Sequence, residues 1–540
     1  MSLSQLGRAH LPVLRLANLL FLVVCPALPA AETLPRPNIV FILCDDLGYG
    51  DVQCLNPDGK IATPRLDQIA NEGMTFTDAH SGSGVCSPTR YGVMTGRYAW
   101  RSKLQSGVLG GLSTRLIEKD RLTVAQMLKN AGYHTACVGK WHLGMDWVKL
   151  PGKEVTELNI EPLAQNRNVD YTQPIANGPN SVGFDEYFGI SASLDMVPYA
   201  FIENDHLTAQ PTEENAFAMM LGRKGGKTRL GPAAPGFEAM DVLPTLAQRA
   251  VAMIESQAPA AQKKGRPFFL YLPLASPHTP ILPTNDWQGK SGLSPYADFV
   301  MQTDHVIGQV MDAIDKNGLA ENTLLIVTSD NGCSPQADFP ELLKLGHNPS
   351  YHFRGHKADI YEGGHRVPFL ARWKSRVAAG SRCDDTICLT DLMATCAEIT
   401  GTKLPDSAAE DSVSFWPALQ GTADRPQRPA VVHHSVNGSF AIRDGQWKLA
   451  LCPGSGGWSA PGPGKHAADA PPVQLFDLSK EIGEQTNLVN QHPEQVTRLT
   501  QLLEQFIANG RSTPGEPQAN AVPVKLIKET PKPKQAKPKS

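Results

Sequence analysis

Two pairs of oxygen-bearing side chains stand directly after apolar runs in this 540-residue chain. Asp45 and Asp46 form the first pair, and Asp330 and Asn331 form the second. An isolated Asp-Asp pair often serves as a turn or a helix cap. Adjacent carboxylates at a strand end are costly, however, unless a cation neutralises them. Two such pairs together predict a site for one hard divalent ion, Ca²⁺ or Mg²⁺.

A cysteine with unusual neighbours occurs in the segment Cys86-Ser87-Pro88-Thr89-Arg90. Pro88 suits the first turn of a helix, and Ser87 is the expected cap. The cysteine would then face the positive end of the helix dipole, where negative charge is favoured. A free cysteine is most often a buried, inert residue. The combination with Pro88 and Arg90 instead predicts a reactive group that meets an anion.

Four further basic side chains are candidates for the same site. Lys140 and His142 follow an apolar run, His278 stands between two prolines, and Lys357 lies in the Gly-rich segment 354–368. Each of them alone is compatible with a structural role. Combined with the acidic pairs, a divalent ion and the arginine, the lysines would give the pocket a net charge of about +2, which attracts an anionic ester.

The segments that must position these residues alternate between helical and strand patterns. Apolar strand patterns cover 39–43, 133–138, 267–274 and 323–328. Helical patterns cover 64–73, 122–130, 242–257 and 297–316. This alternation predicts an α/β sandwich with a mostly parallel central sheet flanked by helices. The region 150–240, rich in Asn, Pro and Gly, is interpreted as insertions over a binding face rather than core.

The composition divides the chain into four expected parts. These are a signal peptide (1–31), a catalytic domain (32–425), a C-terminal α+β subdomain (426–512) and a disordered Pro/Lys-rich tail (513–540). Short strand patterns followed by one helix predict a small antiparallel sheet with one helix in the third part. The tail has too little apolar area to order itself.

The N-terminus indicates export. Arg8 and Arg15 precede a short apolar run and small residues suited to cleavage, which predicts a secreted or periplasmic protein. The run is too short to span a bilayer, no other stretch resembles a membrane span, and lipidation of Cys25 is the less favoured alternative. A formal net charge of −3 argues against a nucleic-acid binder. In an oxidising compartment, Cys383 and Cys388 are the expected disulfide pair.

The cysteine segment identifies a family. Residues 84–97 strongly resemble the signature of the formylglycine-dependent sulfatases, although Thr89 stands where the family most often has Ser. Further motifs match the family in order, at Asp45-Asp46, 139–144, 276–280, 329–332 and 354–368. The resemblance covers most of the mature chain, which looks similar to bacterial relatives of the arylsulfatases and N-acetylgalactosamine-6-sulfatases. It implies an alkaline-phosphatase-like fold.

The resemblance also implies roles for individual residues. Cys86 would be oxidised to formylglycine by a partner, either a formylglycine-generating or an anaerobic sulfatase-maturating enzyme. One Ca²⁺ ion, or Mg²⁺, would be held by the motif positions Asp45, Asp46, Asp330 and Asn331. The catalytic residues would be Cys86, Arg90, Lys140, His142, His278 and Lys357. His365 and Asp195 are weaker candidates for contact with the substrate.

In this family the hydrated aldehyde attacks sulfur in line. By resemblance, His278 or Lys357 would protonate or stabilise the departing alkoxide. The second hydroxyl would then lose its proton, to His142, and expel sulfate by C–O cleavage. One difficult step is thereby divided into two easier ones.

The expected function is sulfate-ester hydrolysis on sulfated carbohydrates, with galactose or N-acetylgalactosamine sulfates preferred, and on aryl sulfates. Loops around Tyr199 and Asn204 and at 454–458 are candidate sugar subsites. One alternative is a phosphate mono- or diester hydrolase of the alkaline phosphatase superfamily, which usually uses Ser or Thr and often two zinc ions. The other is a secreted glycan-binding protein with an unconverted Cys86.

Overall fold

A ten-stranded sheet lies at the centre of the computed structural model, which describes residues 36–422 and 428–528. In chain order the strands are β1 Asn38–Asp45, β2 Met74–Phe76, β3 Ala79–His80, β4 His134–Lys140, β5 Glu186–Ile190, β6 Ile202–Glu203, β7 His206–Leu207, β8 Glu213–Asn215, β9 Gly231–Ala233, β10 Phe268–Pro277, β11 Thr323–Ser329, β12 Phe369–Arg372, β13 Ser381–Cys383, β14 Ile387–Cys388, β15 Val431–His434, β16 Phe440–Asp444, β17 Trp447–Ala450 and β18 Gln474–Asp477. The α-helices are α1 Pro64–Glu72, α2 Cys86–Thr95, α3 Val124–Asn130, α4 Val242–Lys264, α5 Pro295–Lys316, α6 Phe339–Lys344, α7 Glu362–His365, α8 Leu392–Thr400, α9 Trp416–Leu419 and α10 Pro493–Ala508.

The strand order of this sheet is β13-β2-β12-β11-β1-β10-β4-β5-β6-β7. Its five middle strands, β11, β1, β10, β4 and β5, are all parallel to their neighbours within that group. Their carboxyl ends therefore meet at one edge, which is where open parallel sheets place their ligand sites.

Helices cover both faces of the sheet. Val40 and Ile42 of β1 pack into one apolar cluster with residues of α4 and α5. Ile39, Phe41 and Leu43 of the same strand pack into a second cluster with residues of α2, α3 and α8. A strand buried on both faces is apolar at successive positions, because neither side meets water. The α/β sandwich predicted from the sequence is confirmed.

The last part of the chain forms the small sheet that was also predicted. Strands β15, β16, β17 and β18 pair antiparallel in that order. Helix α10 turns Leu499, Leu503 and Phe506 into the apolar cluster of this sheet. Their spacing of four and three residues places them on one helix face.

Two regions differ from the sequence prediction. Strand β5, within the region interpreted as surface insertions, is mostly buried and belongs to the parallel core of the central sheet. The expected tail is ordered from 513 to 528, where Ala521 N donates a hydrogen bond to Arg101 O (2.7 Å) and Val524 and Leu526 pack against the C-terminal sheet. These contacts to the body supply the apolar burial that the tail alone lacks.

No disulfide joins Cys383 to Cys388, contrary to expectation. The two residues lie in different sheets, since β13 pairs with β2 and β14 pairs with β3. The predicted signal peptide (1–31) with Cys25 and the last residues of the tail (529–540) lie outside the described residues. Among the helices that the structure does describe, none is both long and apolar enough to cross a membrane.

Candidate active site

The two acidic pairs meet at the carboxyl edge of the sheet, as predicted. β1 ends at Asp45 and β11 ends at Ser329, and these strands are neighbours with Cys44 opposite Ser329. The chain turns sharply after β1, where Asp46 has a φ of 65° and its N–H donates to Asp330 Oδ1 (3.3 Å). Parallel pairing therefore brings together residues that are almost 300 positions apart in sequence.

Asn331 completes a set of buried oxygen atoms. Its Nδ2 donates to Asp46 Oδ1 (2.7 Å), and its Oδ1 is buried with no hydrogen-bond partner among the described residues. Asp45, Asp46, Asp330 and Asn331 are at most 1% exposed. An unsatisfied buried amide oxygen beside three carboxylates matches the all-oxygen ligand set of a hard divalent cation.

The electrostatics of the carboxylates support the same assignment. Burial opposes ionisation of Asp45, but Lys140, His278 and Arg90 outweigh it and hold its pKa well below the usual range. Burial, followed by the charge of Asp45, raises the pKa of Asp330 to about 6. A divalent cation between the carboxylates would remove this repulsion. The residues present therefore fit such an ion.

Cys86 lies at the first position of α2, with Val85 as the N-cap. The expected capping role of Ser87 is not found, because its Oγ accepts a hydrogen bond from Leu109 N (3.2 Å) instead. Cys86 Sγ lies 3.7 Å from Asp45 Oδ1. Burial raises the pKa of the Cys86 thiol to about 12, so an unmodified cysteine would be a neutral and weak nucleophile.

Arg90 lies one turn further along α2 and is fully buried. Its Nη2 donates to Asp330 Oδ2 (2.7 Å) and lies 3.6 Å from Asp45 Oδ1. Its Nη1 donates to Lys140 O (3.0 Å). A guanidinium held by a carboxylate and a carbonyl is rigid, and it brings a permanent positive charge to Cys86.

Lys140 is the last residue of β4, and His142 lies two residues after it. Lys140 Nζ donates to Asp45 Oδ2 (2.6 Å). His142 has a φ of 56°, and its Nε2 lies 2.8 Å from Leu109 O, which can only accept a hydrogen bond. His142 Nδ1 is then the basic atom, and it has no partner among the residues that the structure describes. Burial and the Lys140 charge lower the pKa of His142 well below its usual value.

His278 and Lys357 approach the acidic pairs from the opposite side, through Asp46. His278 follows β10, and its Nε2 lies 3.6 Å from Asp46 Oδ2, while its Nδ1 lies 2.6 Å from Thr279 O. Lys357 Nζ donates to Asp46 Oδ2 (2.8 Å). Their side chains are only 7% and 6% exposed, so both are largely buried in the cluster.

The structure thus brings the predicted ligand residues and the predicted catalytic residues into one buried cluster. Side-chain atoms of Asp45, Asp46, Cys86 and His278 lie within 4.8 Å of one another. The cluster combines acidic oxygen ligands, three cationic side chains and two histidines with Cys86. This arrangement can bind a divalent cation, attract an anionic ester and transfer protons.

His365 is not part of this cluster, and its contact with a substrate stays a prediction. Its side chain is 1% exposed, and its ring stacks on His433 with centroids 3.7 Å apart. Its Nδ1 lies 3.1 Å from His80 Nδ1, and its Nε2 lies 3.0 Å from Lys448 Nζ. The short helix α7 turns this side chain away from Lys357 and into the contact with the C-terminal sheet.

Asp195 lies in the loop that follows β5. Its carbonyl accepts a hydrogen bond from Arg229 N (3.4 Å), and its Oδ1 is buried without a partner among the described residues. Four residues earlier, the Ser191 carbonyl accepts a hydrogen bond from His142 N (3.0 Å). Contact of Asp195 with a substrate stays a prediction.

Sequence reasoning did not single out two residues that support the site. Ser329 Oγ accepts from Leu47 N and donates to Asn331 O, both at 3.0 Å, so it ties the two acidic turns together. Asp359 is fully buried and accepts hydrogen bonds from the distant loop 458–459. The sequence signal for Ser329 was a hydroxyl directly before the Asp-Asn pair. The signal for Asp359 was an acidic residue two positions after Lys357.

Comparison with known proteins gives consistent results. A family model described as Sulfatase matches residues 37–402. The N-acetylgalactosamine-6-O-sulfatase of Bacteroides thetaiotaomicron is 34% identical over 509 residues, which cover 87% of this chain and 93% of that protein. Arylsulfatase A of Homo sapiens is 32% identical over 501 residues, which cover 89% of each.

A solved structure shows the same architecture. This structure comes from work on the metabolism of multiple glycosaminoglycans by Bacteroides thetaiotaomicron. It matches this chain with a TM-score of 0.73 and 30% sequence identity. The match covers 87% of this chain and 99% of that one, so it includes both the central sheet and the C-terminal sheet.

Proposed function

The chain belongs to the sulfatase family, and we propose that it hydrolyses sulfate esters with formylglycine made from Cys86 and one bound Ca²⁺ ion. The observation that carries this proposal is the position of Cys86. It stands at the N-terminus of α2, 3.7 Å from an Asp45 carboxylate oxygen, inside a cluster of acidic and cationic side chains. As a buried neutral thiol it is poorly suited to attack, whereas an oxidised side chain there would be well placed.

Asp45, Asp46, Asp330 and the free Oδ1 of Asn331 would hold the ion. When bound, Ca²⁺ supplies positive charge that polarises sulfuryl oxygens and favours ionisation of a neighbouring hydroxyl. Mg²⁺ is the alternative with the same oxygen preference. A hydrated formylglycine would supply one hydroxyl to attack sulfur and a second whose deprotonation releases sulfate.

Arg90, Lys140 and His142 would stabilise charge and accept a proton near position 86. Arg90 and Lys140 lie against Asp330 and Asp45 and place two fixed positive charges beside position 86, where an anionic ester gains charge on its oxygens. His142 receives a proton at Nδ1, because its Nε2–H is committed to Leu109 O. This neutral tautomer suits a general base.

His278 and Lys357 lie on the side of Asp46 and would serve the departing oxygen. His278 Nδ1 faces the Thr279 carbonyl and therefore carries a hydrogen, so Nε2 is the atom that gains or loses a proton. Lys357 keeps its charge, because Asp46 and neighbouring groups outweigh burial and raise its pKa. Together they can donate a proton and stabilise the alkoxide.

The proposed substrate is a sulfated carbohydrate, a galactose or N-acetylgalactosamine sulfate, with aryl sulfates accepted as small substrates. The support is the N-acetylgalactosamine-6-O-sulfatase of Bacteroides thetaiotaomicron, which resembles this chain over nearly its whole length. We further propose export through residues 1–31 and maturation by a formylglycine-generating or anaerobic sulfatase-maturating enzyme.

The test is the mass of the tryptic peptide 66–90 from protein produced with a maturation enzyme. Conversion of Cys86 lowers this mass by about 18 Da, and activity should rise with the converted fraction. Assays on aryl sulfate and aryl phosphate in parallel separate a sulfatase from a phosphate esterase. An intact thiol in fully active protein would refute the proposed nucleophile.

A further inference from the structure

The connection between β17 and β18 carries an exposed aromatic side chain. Trp458 is 51% exposed, which is unusual for the largest apolar side chain. With Pro461, Pro463 and Lys465 it lines a groove of about 550 Å³. The lining therefore combines apolar side chains with one cationic, exposed lysine.

The backbone of this connection is fixed on the segment that carries Lys357. Trp458 N and Ser459 N donate to Asp359 Oδ1 at 2.8 and 3.0 Å. At Gly457 a Cβ would lie 2.3 Å from Ala358 O, so only glycine permits this approach. Asp359 is fully buried, and these contacts hold the base of Trp458 although its ring faces solvent.

The same segment contacts the other side of the active site. Ala358 N donates to Gly84 O (2.7 Å), and Gly84 is two residues before Cys86. Residues 357–359 thus have Cys86 on one side and the Trp458 loop on the other. The loop that lines the groove is therefore separated from the strand-end cluster around Cys86 by this one short segment.

We propose that this groove binds the sugar residue next to the sulfated one in an anionic oligosaccharide substrate. The apolar face of that sugar ring packs on the Trp458 indole, and its carboxylate or a further sulfate pairs with Lys465. This inference rests on the proposed function, because the sulfated sugar of the same oligosaccharide must occupy the sulfate-ester site. A fixed aromatic surface binds at low entropic cost, because little ordering remains to be done.

Substitution of Trp458 tests the stacking. The substrates are 4-nitrophenyl sulfate and a tetrasaccharide of alternating uronic acid and 6-sulfated N-acetylgalactosamine. Trp458→Ala should lower kcat/KM for the tetrasaccharide about tenfold and leave the aryl sulfate within about twofold, while Trp458→Phe retains most of the activity. The control is Trp447→Ala, at the opposite end of β17, which should not change the ratio of the two values.

Lys465 gives an independent electrostatic test. Lys465→Ala should raise KM for the tetrasaccharide about fivefold at low salt, and the effect should shrink at about 0.5 M NaCl. Lys480→Ala is the matched control, because Lys480 is 74% exposed and pairs with Asp477 in β18. An equal effect of both substitutions would overturn the assignment of Lys465.

A binding measurement separates this proposal from the proposed function. Calorimetry of the tetrasaccharide with Cys86→Ala protein requires no turnover. Weaker binding by Cys86→Ala/Trp458→Ala supports the groove even where no sulfate ester is cleaved. Equal binding by the two proteins, or equal losses on both substrates in the Trp458→Ala enzyme, overturns it.

Discussion

Asn331 donates its amide hydrogen to Asp46 while its own amide oxygen has no partner in the described part of the protein. The 2.7 Å hydrogen bond fixes which way the amide points: its nitrogen faces the Asp46 carboxylate, and its buried Oδ1 is the atom left for a ligand. Such an arrangement leaves the site incomplete without a cation, since a buried polar atom without a partner costs stability.

Removal of the metal tests this relationship. We expect Ca²⁺ to raise the Tm of chelator-treated protein, because a ligand that binds only the folded state stabilises it. Asn331→Ala should weaken the apparent Ca²⁺ affinity at least about tenfold, measured by thermal unfolding against Ca²⁺ concentration. Asn317→Ala, at the C-cap of α5, is the control. Unchanged Ca²⁺ affinity in the Asn331 variant would contradict the ligand set.

Replacement of Cys86 tests the covalent step. We expect Cys86→Ser to lose at least about a thousandfold in turnover, because a serine that accepts a sulfuryl group has no second hydroxyl to expel it. Intact-protein mass spectrometry after incubation with aryl sulfate should find either one added sulfuryl group or no reaction. The far-UV spectrum should stay that of the wild type. Continued turnover by this variant would exclude the mechanism.

His142 gives a pH prediction. Burial and the Lys140 charge lower its pKa, so the ring stays neutral and able to accept a proton down to pH values well below 6.5. Protonation of His142 should therefore not limit kcat between pH 6 and 8. His142→Gln should reduce kcat by about a hundredfold or more. A loss of wild-type kcat below pH 6.5 that disappears in this variant would show that His142 titrates normally.

Asp304 gives a stability prediction away from the site. Burial raises its pKa to about 6, although its carboxylate caps α1 through Arg65 N and Leu66 N. The folded protein therefore binds this proton more tightly than the unfolded chain, and stability falls as the pH rises from about 4 to 6. The loss is about 3 kcal/mol in urea unfolding. Asp304→Asn should remove it.

A matched substitution checks that this slope belongs to Asp304. Asp298 lies on the same helix and accepts hydrogen bonds from Gly289 N and Ser291 N. Asp298→Asn should remove one of these two hydrogen bonds and leave the Asp304-dependent loss of stability between pH 4 and 6 in place. A slope that persists in Asp304→Asn would assign it to another group.

Lys448 provides a test of the junction between the two sheets. Its Nζ lies 3.0 Å from Glu362 Oε1 and 2.8 Å from Glu484 Oε1, and all three side chains are fully buried. Lys448→Met should destabilise the protein by about 3 kcal/mol or more, because the buried Glu484 loses its cation while Glu362 keeps Arg366 and Arg443. The KM for aryl sulfate should not change. A selective rise in KM would place this network at the substrate instead.

The sequence was sufficient to predict which residues meet at the strand ends. Asp45 and Asp330 could be paired because parallel strands bring their carboxyl ends to one edge, whatever their separation along the chain. His365 could not be placed in this way. It shares a motif with Lys357, but the direction of a side chain on a one-turn helix depends on its packing against the C-terminal sheet.

Two departures of the fold from the sequence prediction have the same physical origin. Strand β5 lies in a region whose Asn, Pro and Gly content is typical of loops, and only its pairing with β4 makes it core. The residues after 513 carry little apolar area of their own, and contacts with Arg101 and the C-terminal sheet order them. The composition of a segment gives the apolar area that it could bury, whereas its contacts with other parts of the fold determine how much of that area is buried.

The backbone hydrogen bonds from Trp458 and Ser459 to Asp359 attach the loop proposed for sugar binding to the segment that carries the proposed catalytic Lys357. The proposed catalytic side chains lie at the strand ends of the large sheet, on α2 and in the segment of Lys357, whereas the exposed indole belongs to the connection between β17 and β18. If this loop were replaced by the corresponding loop of a relative and its two anchoring amides were kept, the preference for the neighbouring sugar should change. The hydrolysis of small aryl sulfates should not.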